Sequence, residues 1–238
     1  MFIQICNYWV KKSKIELYWT NEKHKYLYLK GLYLVFQRKT VTLLPGILTT
    51  LLITMEIDDI LFFNRLFVEK KGYEPYITDK FPKKHLAILT CMDTRLSVLL
   101  QEALGLKNGD AKIIKNAGAV IPSPYDSAMR SLVVAVYELG VTEVMVIAHS
   151  TCGACHMSYS HLKDAMLERG ISVDTLNELI SKEGIDLDQW LEGFHDTEKS
   201  VRNTVSTIKA HPLMPNDLIV RGFVMDSVTG GLTEVNCY

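Results

Sequence analysis

The sequence has little net charge and no long apolar run. Its 26 Lys and Arg residues against 27 Asp and Glu residues give a formal charge of −1 at pH 7, so no excess of positive charge favours nucleic-acid binding. The uncharged run from Thr40 to Met55 contains Pro45-Gly46 and is shorter than the ~20 apolar residues of a membrane-spanning helix. It also begins too late in the chain for a signal peptide. We therefore expect neither membrane association nor secretion.

Cysteine is scarce, with five residues in 238. The odd number and uneven spacing argue against the disulfide scaffold of a small secreted domain. We expect a reducing, cytoplasmic environment in which the thiols stay free to bind a metal. The five residues are Cys6, Cys91, Cys152, Cys155 and Cys237.

The charge is divided unevenly along the chain. Residues 1–54 carry eight Lys or Arg residues against Glu16 and Glu22, a sum of +6, so the remainder carries −7. A chain of 238 residues suits one sizeable core with an appendage. We predict an N-terminal extension at 1–54, upstream of an original start at Met55, and one catalytic domain at 55–238.

Short apolar runs alternate with helical patterns in the middle of the chain. Strands are predicted at His85–Thr90, Ala111–Lys115 and Glu143–Ala148. Helices are predicted at Leu96–Leu104, from an N-cap at Ser123 to Leu139, and from Gly153 to Arg169. This alternation implies a parallel sheet with right-handed helical crossovers.

The C-terminal part continues the α/β pattern after a polar connection at 181–193. A helix capped by Asp196 or Thr197 is predicted to end at His211-Pro212. Strands at Leu218–Met225 and Leu232–Val235 then form a hairpin. The predicted fold class is therefore α/β, with a mostly parallel sheet flanked by helices and a C-terminal hairpin.

Unusual residues follow each of the three central strands. Cys91 follows the first strand, Asn116-Ala117-Gly118 the second, and His149 and Cys152 the third. Ligands of open α/β sheets bind at the carboxyl ends of the strands. Two thiols and an imidazole at this edge favour zinc, with a fourth position left for water. Zinc lowers the pKa of bound water to about 7 and so supplies a hydroxide nucleophile at neutral pH.

Asp93 and Arg95 follow Cys91 at spacings of two residues. Both side chains are expected in the turn that leaves the strand. A carboxylate there can accept the proton of bound water, and a bidentate arginine would keep that carboxylate ionised and oriented. A helix cap and a surface charge are the plainer interpretation of the two residues.

These motifs together resemble the β-carbonic anhydrase family. Cys91-Met92-Asp93-Thr94-Arg95 is similar to its C-x-D-x-R motif, and His149-Ser150-Thr151-Cys152 to its H-x-x-C motif 58 positions later. Asn116-Ala117-Gly118 matches an intervening N-A-G segment. The resemblance covers roughly Met55 to Val235. Thr94 replaces the usual Ser, and Lys115 stands where many relatives have Arg.

The resemblance implies a zinc lyase that converts carbon dioxide to bicarbonate as a homodimer or homotetramer. It assigns zinc to Cys91, His149 and Cys152, and a catalytic dyad to Asp93 and Arg95. The carboxylate of Asp93 either pairs with Arg95 or closes the zinc site as a fourth ligand. The compact chain after Cys152 is similar to the small bacterial branch. The candidate residues of the substrate pocket are Asn116, Ala117, Gly118 and Gly153, for which turn formation is an equal alternative.

Three other functions remain open at this point. Cys152-Gly153-Ala154-Cys155 is a C-x-x-C motif at a predicted helix N-terminus, a pattern typical of thiol-disulfide oxidoreductases. Alternatively, Cys155 could complete a purely structural zinc site without hydratase activity. A catalytic site of this kind would also suit a related linear substrate such as carbon disulfide.

Overall fold

The computed structural model describes residues 16–20, 24–29, 32–37 and 57–237. Cys6 and the run from Thr40 to Met55 lie outside the described residues. The chain divides into two compact units, Met1–Ile60 and Leu61–Tyr238. In the first unit, three strands form an antiparallel sheet in the order β1-β2-β3. They are β1 Glu16–Thr20, β2 His24–Leu29 and β3 Leu32–Gln37.

The second unit contains a five-stranded sheet with helices on both faces. Its strands are β4 Leu86–Cys91, β5 Ala111–Asn116, β6 Glu143–His149, β7 Ile219–Met225 and β8 Leu232–Val235. The helices are α1 Ile57–Glu69, α2 Leu96–Ala103, α3 Ser127–Leu139, α4 Tyr159–Glu168, α5 Val173–Lys182, α6 Leu187–Leu191 and α7 Thr197–Ala210, and α1 begins before the boundary between the units. A 3₁₀ turn spans Glu74–Tyr76. Among the described residues, no helix is both long and apolar enough to cross a membrane.

The sheet has the order β5-β4-β6-β7-β8. Strands β4 to β7 pair in parallel, and β8 returns antiparallel to β7 as the predicted hairpin. The predicted α/β class is therefore confirmed. The registers place Cys91 opposite Asn116 and Thr90 opposite Ile147, so the ends of β4, β5 and β6 lie at one edge of the sheet.

Alternating side chains of the central strands enter two apolar layers. One layer packs the sheet against α3 and α7, where Leu132, Val205 and Ile208 are buried. The other packs Ile88 and Ile147 against α2. Because the central strands are covered on both faces, they are continuous apolar runs in the sequence. The loops at the carboxyl edge are thus attached to a rigid support.

Three predicted features of the helices are wrong. Helix α3 begins at Ser127, not at Ser123, because the side chain of Asp126 accepts the N–H of Met129 and caps the helix. Helix α4 begins at Tyr159, six residues after Gly153, with Ser158 as its N-cap. The predicted polar connection at 181–193 contains helix α6 and the end of α5.

The other predicted boundaries agree with the structure to within about two residues. Gly105 and Gly140 both adopt a positive φ just past helices α2 and α3, a conformation that glycine adopts readily. Asp196 caps α7, and Val201, Val205 and Ile208 share its buried face as expected.

Candidate metal centre

Three predicted ligands converge at the carboxyl edge of the sheet. Cys91 ends β4, His149 ends β6, and Cys152 lies in the turn after β6. All three residues are buried, and their ligand atoms lie within 4.8 Å of one another. Parallel pairing of β4 with β6 therefore brings together residues that are far apart in the sequence.

The imidazole of His149 is oriented with one nitrogen toward the sulfurs. Its Nδ1 lies 2.9 Å from the carbonyl oxygen of Ser150, an acceptor that requires the proton to be on Nδ1. Its Nε2 is buried and has no hydrogen-bond partner among the residues that the structure describes. An unpartnered lone pair beside two sulfurs is what a soft metal ion would use, so the residues fit such an ion.

The sulfurs of Cys91 and Cys152 lie 3.8 Å apart, within the distance of an S–H···S hydrogen bond. The pKa of Cys91 is lowered to about 5, chiefly by the hydrogen bond from Cys152 and also by the backbone N–H of Gly118 at 3.4 Å. The pKa of Cys152 is raised, because its proton is held by Cys91 and because the thiol is buried. The pair therefore carries one thiolate, the form of cysteine that binds metals.

Asp93 is held by Arg95 through two parallel hydrogen bonds. Arg95 Nε donates to Asp93 Oδ1 at 3.0 Å, and Nη2 donates to Oδ2 at 2.8 Å. These bonds hold the pKa of Asp93 well below its usual range, so the carboxyl is ionised at neutral pH. Asp93 Oδ2 also lies 3.8 Å from His149 Nε2. The carboxylate is thus directed toward the position where the three ligand atoms meet.

The predicted pocket residues lie in different surroundings. The side chain of Asn116 bonds both backbone groups of Val120 and closes the loop after β5. Ala117 lines a cavity of about 630 Å³, together with Phe194 and other residues. Gly118 contacts Cys91, whereas a Cβ on Gly153 would meet no atom within 4 Å. The side chain of Asn116 thus stabilises the loop after β5, and the substrate-pocket role of the four residues stays a prediction.

Cys155 is separate from the three converging residues. Its sulfur lies 4.0 Å from the carbonyl oxygen of His195, and it does not belong to the Cys91, His149 and Cys152 group. The premise that the C-x-x-C motif starts a helix is wrong, because α4 begins only at Tyr159 and Cys155 instead forms an isolated β-bridge with Phe194. The helix N-terminus that would lower a thiol pKa is thus not at this motif.

Two hydroxyl residues that the sequence analysis missed also contact the dyad. Arg95 Nη1 lies 2.9 Å from Thr151 Oγ1 and 3.3 Å from Ser227 Oγ. Thr151 lies inside the H-x-x-C motif, so its spacing could have indicated it. Ser227 follows β7, 132 residues from Arg95, and no local pattern connects the two.

Comparison with known proteins assigns the family. The carbonic anhydrase family model matches residues 86–232, which is more than half of the chain and includes the metal centre and Ser227. The chain belongs to the β-carbonic anhydrase family. Carbonic anhydrases of this family are metal-binding lyases, which agrees with the convergence of Cys91, His149 and Cys152 at one edge of the sheet.

Three similar proteins illustrate the range of similarity. YvdA of Bacillus subtilis (strain 168), named only provisionally as a carbonic anhydrase, is 49% identical over 76% of this chain and 91% of its own length. The crystal structure of β-carbonic anhydrase isoform I from Trichomonas vaginalis has a TM-score of 0.68 and 34% identity, and the match covers 77% of this chain and 100% of that one. A carbon disulfide hydrolase of Acidithiobacillus thiooxidans is 29% identical over 67% of this chain and 75% of its own length. The family relation thus includes proteins named for two different substrates.

Proposed function

We propose that the protein is a zinc-dependent carbonic anhydrase that catalyses the reversible hydration of carbon dioxide to bicarbonate. Cys91, His149 and Cys152 hold the zinc. The observation that carries this proposal is the buried, unpartnered Nε2 of His149 beside the two sulfurs. Sulfur and imidazole ligands suit zinc, and a catalytic zinc site uses three protein ligands with one position free.

Zinc, when bound, supplies a Lewis acid that brings the pKa of coordinated water to about 7. The residues around it orient the reactants. Asp93, ionised and 3.8 Å from His149 Nε2, can accept a hydrogen bond at this position. Arg95 keeps the carboxylate in one orientation through its paired hydrogen bonds.

Gly118 and the nearby apolar side chains form the wall beside Cys91. A Cβ on Gly118 would lie 3.1 Å from the ring of Phe194 and 3.2 Å from Ala154 Cβ. Such close packing limits access of water from this side, and an apolar wall suits a substrate without charge. We assign Ala117 and Gly118 to this wall. The side chain of Asn116 shapes the loop after β5 through its two hydrogen bonds to Val120.

Residues 55–238 form the proposed catalytic domain, which acts as a homodimer or homotetramer. Several large apolar side chains in the segment before β4 support self-association, because they are exposed in the single chain. They are Tyr76, Ile77 and Phe81, with 58%, 72% and 49% exposure. The free thiols of Cys91, Cys152, Cys155 and Cys237 suit a reducing compartment, and we propose the cytoplasm.

Carbon disulfide is a second candidate substrate. The specific observation in its favour is the relative named carbon disulfide hydrolase, which is 29% identical to this chain. Both substrates are linear molecules with an electrophilic central carbon, so the same site could attack either one. The relative rates on the two substrates therefore decide between the two functions.

Stopped-flow assays of carbon dioxide hydration and of carbon disulfide hydrolysis on the zinc-loaded protein test the proposal. We expect one zinc per chain, rapid carbon dioxide hydration and loss of the rate after chelation. His149→Ala and Cys152→Ser should each lose both zinc and activity. Cys155→Ser, a matched thiol change in the same turn, should retain both. Full zinc occupancy in His149→Ala would contradict the ligand assignment, and faster hydrolysis of carbon disulfide would favour the second candidate.

A further inference from the structure

Arg95 has an acceptor for each of its side-chain N–H groups. Two N–H groups bond the carboxylate of Asp93, from Nε and Nη2. Nη2 also donates to the carbonyl oxygen of Thr151 at 2.9 Å, while Nη1 donates to the hydroxyls of Thr151 and Ser227. Five N–H donors are all that a guanidinium has. Its plane is therefore fixed from both sides, although the side chain is 43% exposed.

Ser227 connects the loop after β7 to the turn after β6. The residue is only 5% exposed. Its backbone N–H donates to Ser150 Oγ at 3.0 Å, and its hydroxyl lies 3.2 Å from the same atom. The hydroxyl also lies 3.3 Å from Thr151 Oγ1. The contacts of Ser227 are thus separable: its backbone N–H fastens the loop to Ser150, and its hydroxyl contacts Ser150, Thr151 and Arg95.

Thr151 adopts an unusual backbone conformation on the other side of the guanidinium. Its φ is 53°, in the left-handed region that β-branched residues rarely adopt. Such strain persists only where surrounding contacts hold it. Here the conformation accompanies two contacts with Arg95, one from the carbonyl oxygen and one from the hydroxyl.

We propose that Ser227 is a positioning residue, whose buried hydroxyl acts with Thr151 to fix the Arg95 guanidinium and, through it, the Asp93 carboxylate. The proposal rests on the proposed function, since it concerns the residues that orient the reactants. Ser227 itself does not touch the ligand atoms. Its effect passes through Arg95 to Asp93 Oδ2, the oxygen 3.8 Å from His149 Nε2.

Ser227→Ala removes the hydroxyl and keeps the backbone N–H that fastens the loop to Ser150. Arg95 Nη1 then keeps one of its two hydroxyl acceptors, and the guanidinium gains freedom to rotate. We expect zinc content to be unchanged, kcat to fall about tenfold and KM to stay within about twofold. Ser227→Thr retains the hydroxyl and should restore most of kcat.

Ser181→Ala is the matched control. The hydroxyl of Ser181 donates to the carbonyl oxygen of Asn177 within α5. Ser181→Ala therefore removes a hydrogen-bonded serine hydroxyl, as Ser227→Ala does, but from an exposed helix. This variant should behave as the unmodified protein. Thr151→Ala supplies a second test if Ser227→Ala fails to fold, because it removes the other hydroxyl acceptor of Nη1. We expect it also to lower kcat, while the carbonyl contact remains.

A measurement independent of activity is the ¹⁵N NMR spectrum of protein labelled at arginine. With all five N–H groups bonded, the Nη protons of Arg95 should be resolved and slow to exchange. Arg95→Lys identifies their signals. In Ser227→Ala they should broaden or merge, and in Ser181→Ala they should not change.

Two results would overturn the positioning role. One is a kcat for Ser227→Ala equal to that of Ser181→Ala. The other is an unchanged set of Arg95 signals in Ser227→Ala. If the unmodified protein hydrates no carbon dioxide, the proposed function fails, and the NMR comparison still decides whether Ser227 fixes Arg95.

Discussion

At the scale of single residues, the role of Arg95 in catalysis can be tested separately from zinc binding. Arg95 contacts Asp93 but is not among the three converging ligands. We expect Arg95→Ala to retain zinc and to lower kcat/KM by about tenfold or more, because Asp93 loses the hydrogen bonds that orient its carboxylate. Zinc analysis and stopped-flow hydration measure the two effects. A rate equal to that of the unmodified protein across about pH 6 to 9 would leave Arg95 as a surface charge.

Gly118 is required by its conformation and by its neighbours. Its φ is +88°, and an added Cβ would press on Phe194 and Ala154. We expect Gly118→Ala to lower the free energy of unfolding by about 1–2 kcal/mol. Urea unfolding at equal zinc loading measures this change. Gly153→Ala is the control, because its Cβ would meet open space, and an equal loss in both variants would contradict the argument.

The convergence of Cys91, His149 and Cys152 was predictable because each residue belongs to a short motif that follows a strand. Cys91, Asp93 and Arg95 form one motif, His149 and Cys152 another, and each follows a recognisable apolar strand. Ser227 was not predictable in this way, since it reaches Arg95 only after β7 pairs beside β6. The sequence thus indicated the three converging residues and the Asp93-Arg95 pair, and it missed part of the hydrogen bonding around that pair.

At the scale of elements, the turn after β7 depends on one carboxylate. Asp226 Oδ1 accepts the N–H groups of Val228 and Thr229 and the hydroxyl of Thr229. These bonds lower its pKa in the folded state. The turn carries Ser227, so its shape also affects Arg95.

The effect of the Asp226 charge on stability can be measured by comparing the unmodified protein with Asp226→Asn over a range of pH. Because the pKa of Asp226 is lowered in the folded state, its ionised carboxylate stabilises the fold fully above the unfolded-state pKa of about 3.9. This stabilisation is lost as pH falls through the folded-state pKa. The unmodified protein should therefore exceed Asp226→Asn in its urea midpoint at neutral pH. The difference should shrink below about pH 4. A difference that does not vary with pH would exclude this role of the charge.

Elements were predicted accurately where neighbouring residues in the sequence determine their bounds, and inaccurately where contacts with distant residues do. Strands β4 to β6 were predicted to within about one residue, since each is a short apolar run between polar turns. The start of α4 was missed because Met157 O accepts Gly193 N–H, and Ala154 O accepts Phe194 N–H. These contacts hold residues 154–157 in turns, and the sequence near Gly153 carries no sign of them.

At the scale of the whole molecule, the site lies within one of the two units. Helix α1 begins at Ile57, and every group named in the site follows it. We expect a shortened chain that begins at Met55 to fold and to keep its full hydration rate. Circular dichroism and the stopped-flow assay measure both properties. An insoluble or inactive shortened chain would show that residues 1–54 belong to the core or to the oligomer interface.

The strand order also has a consequence for biosynthesis. Strand β4 pairs with β5 on one side and with β6 on the other. Strands β4 and β5, the first two of this sheet to be synthesised, can therefore associate before β6 exists. Chains fold from the N-terminus as they leave the ribosome. Until residues 149–152 emerge, Cys91 is a single thiol without its partners. A chain that ends before residue 149 therefore lacks two of the three converging residues, and the group can assemble only after β4 and the turn that follows β6 have both left the ribosome.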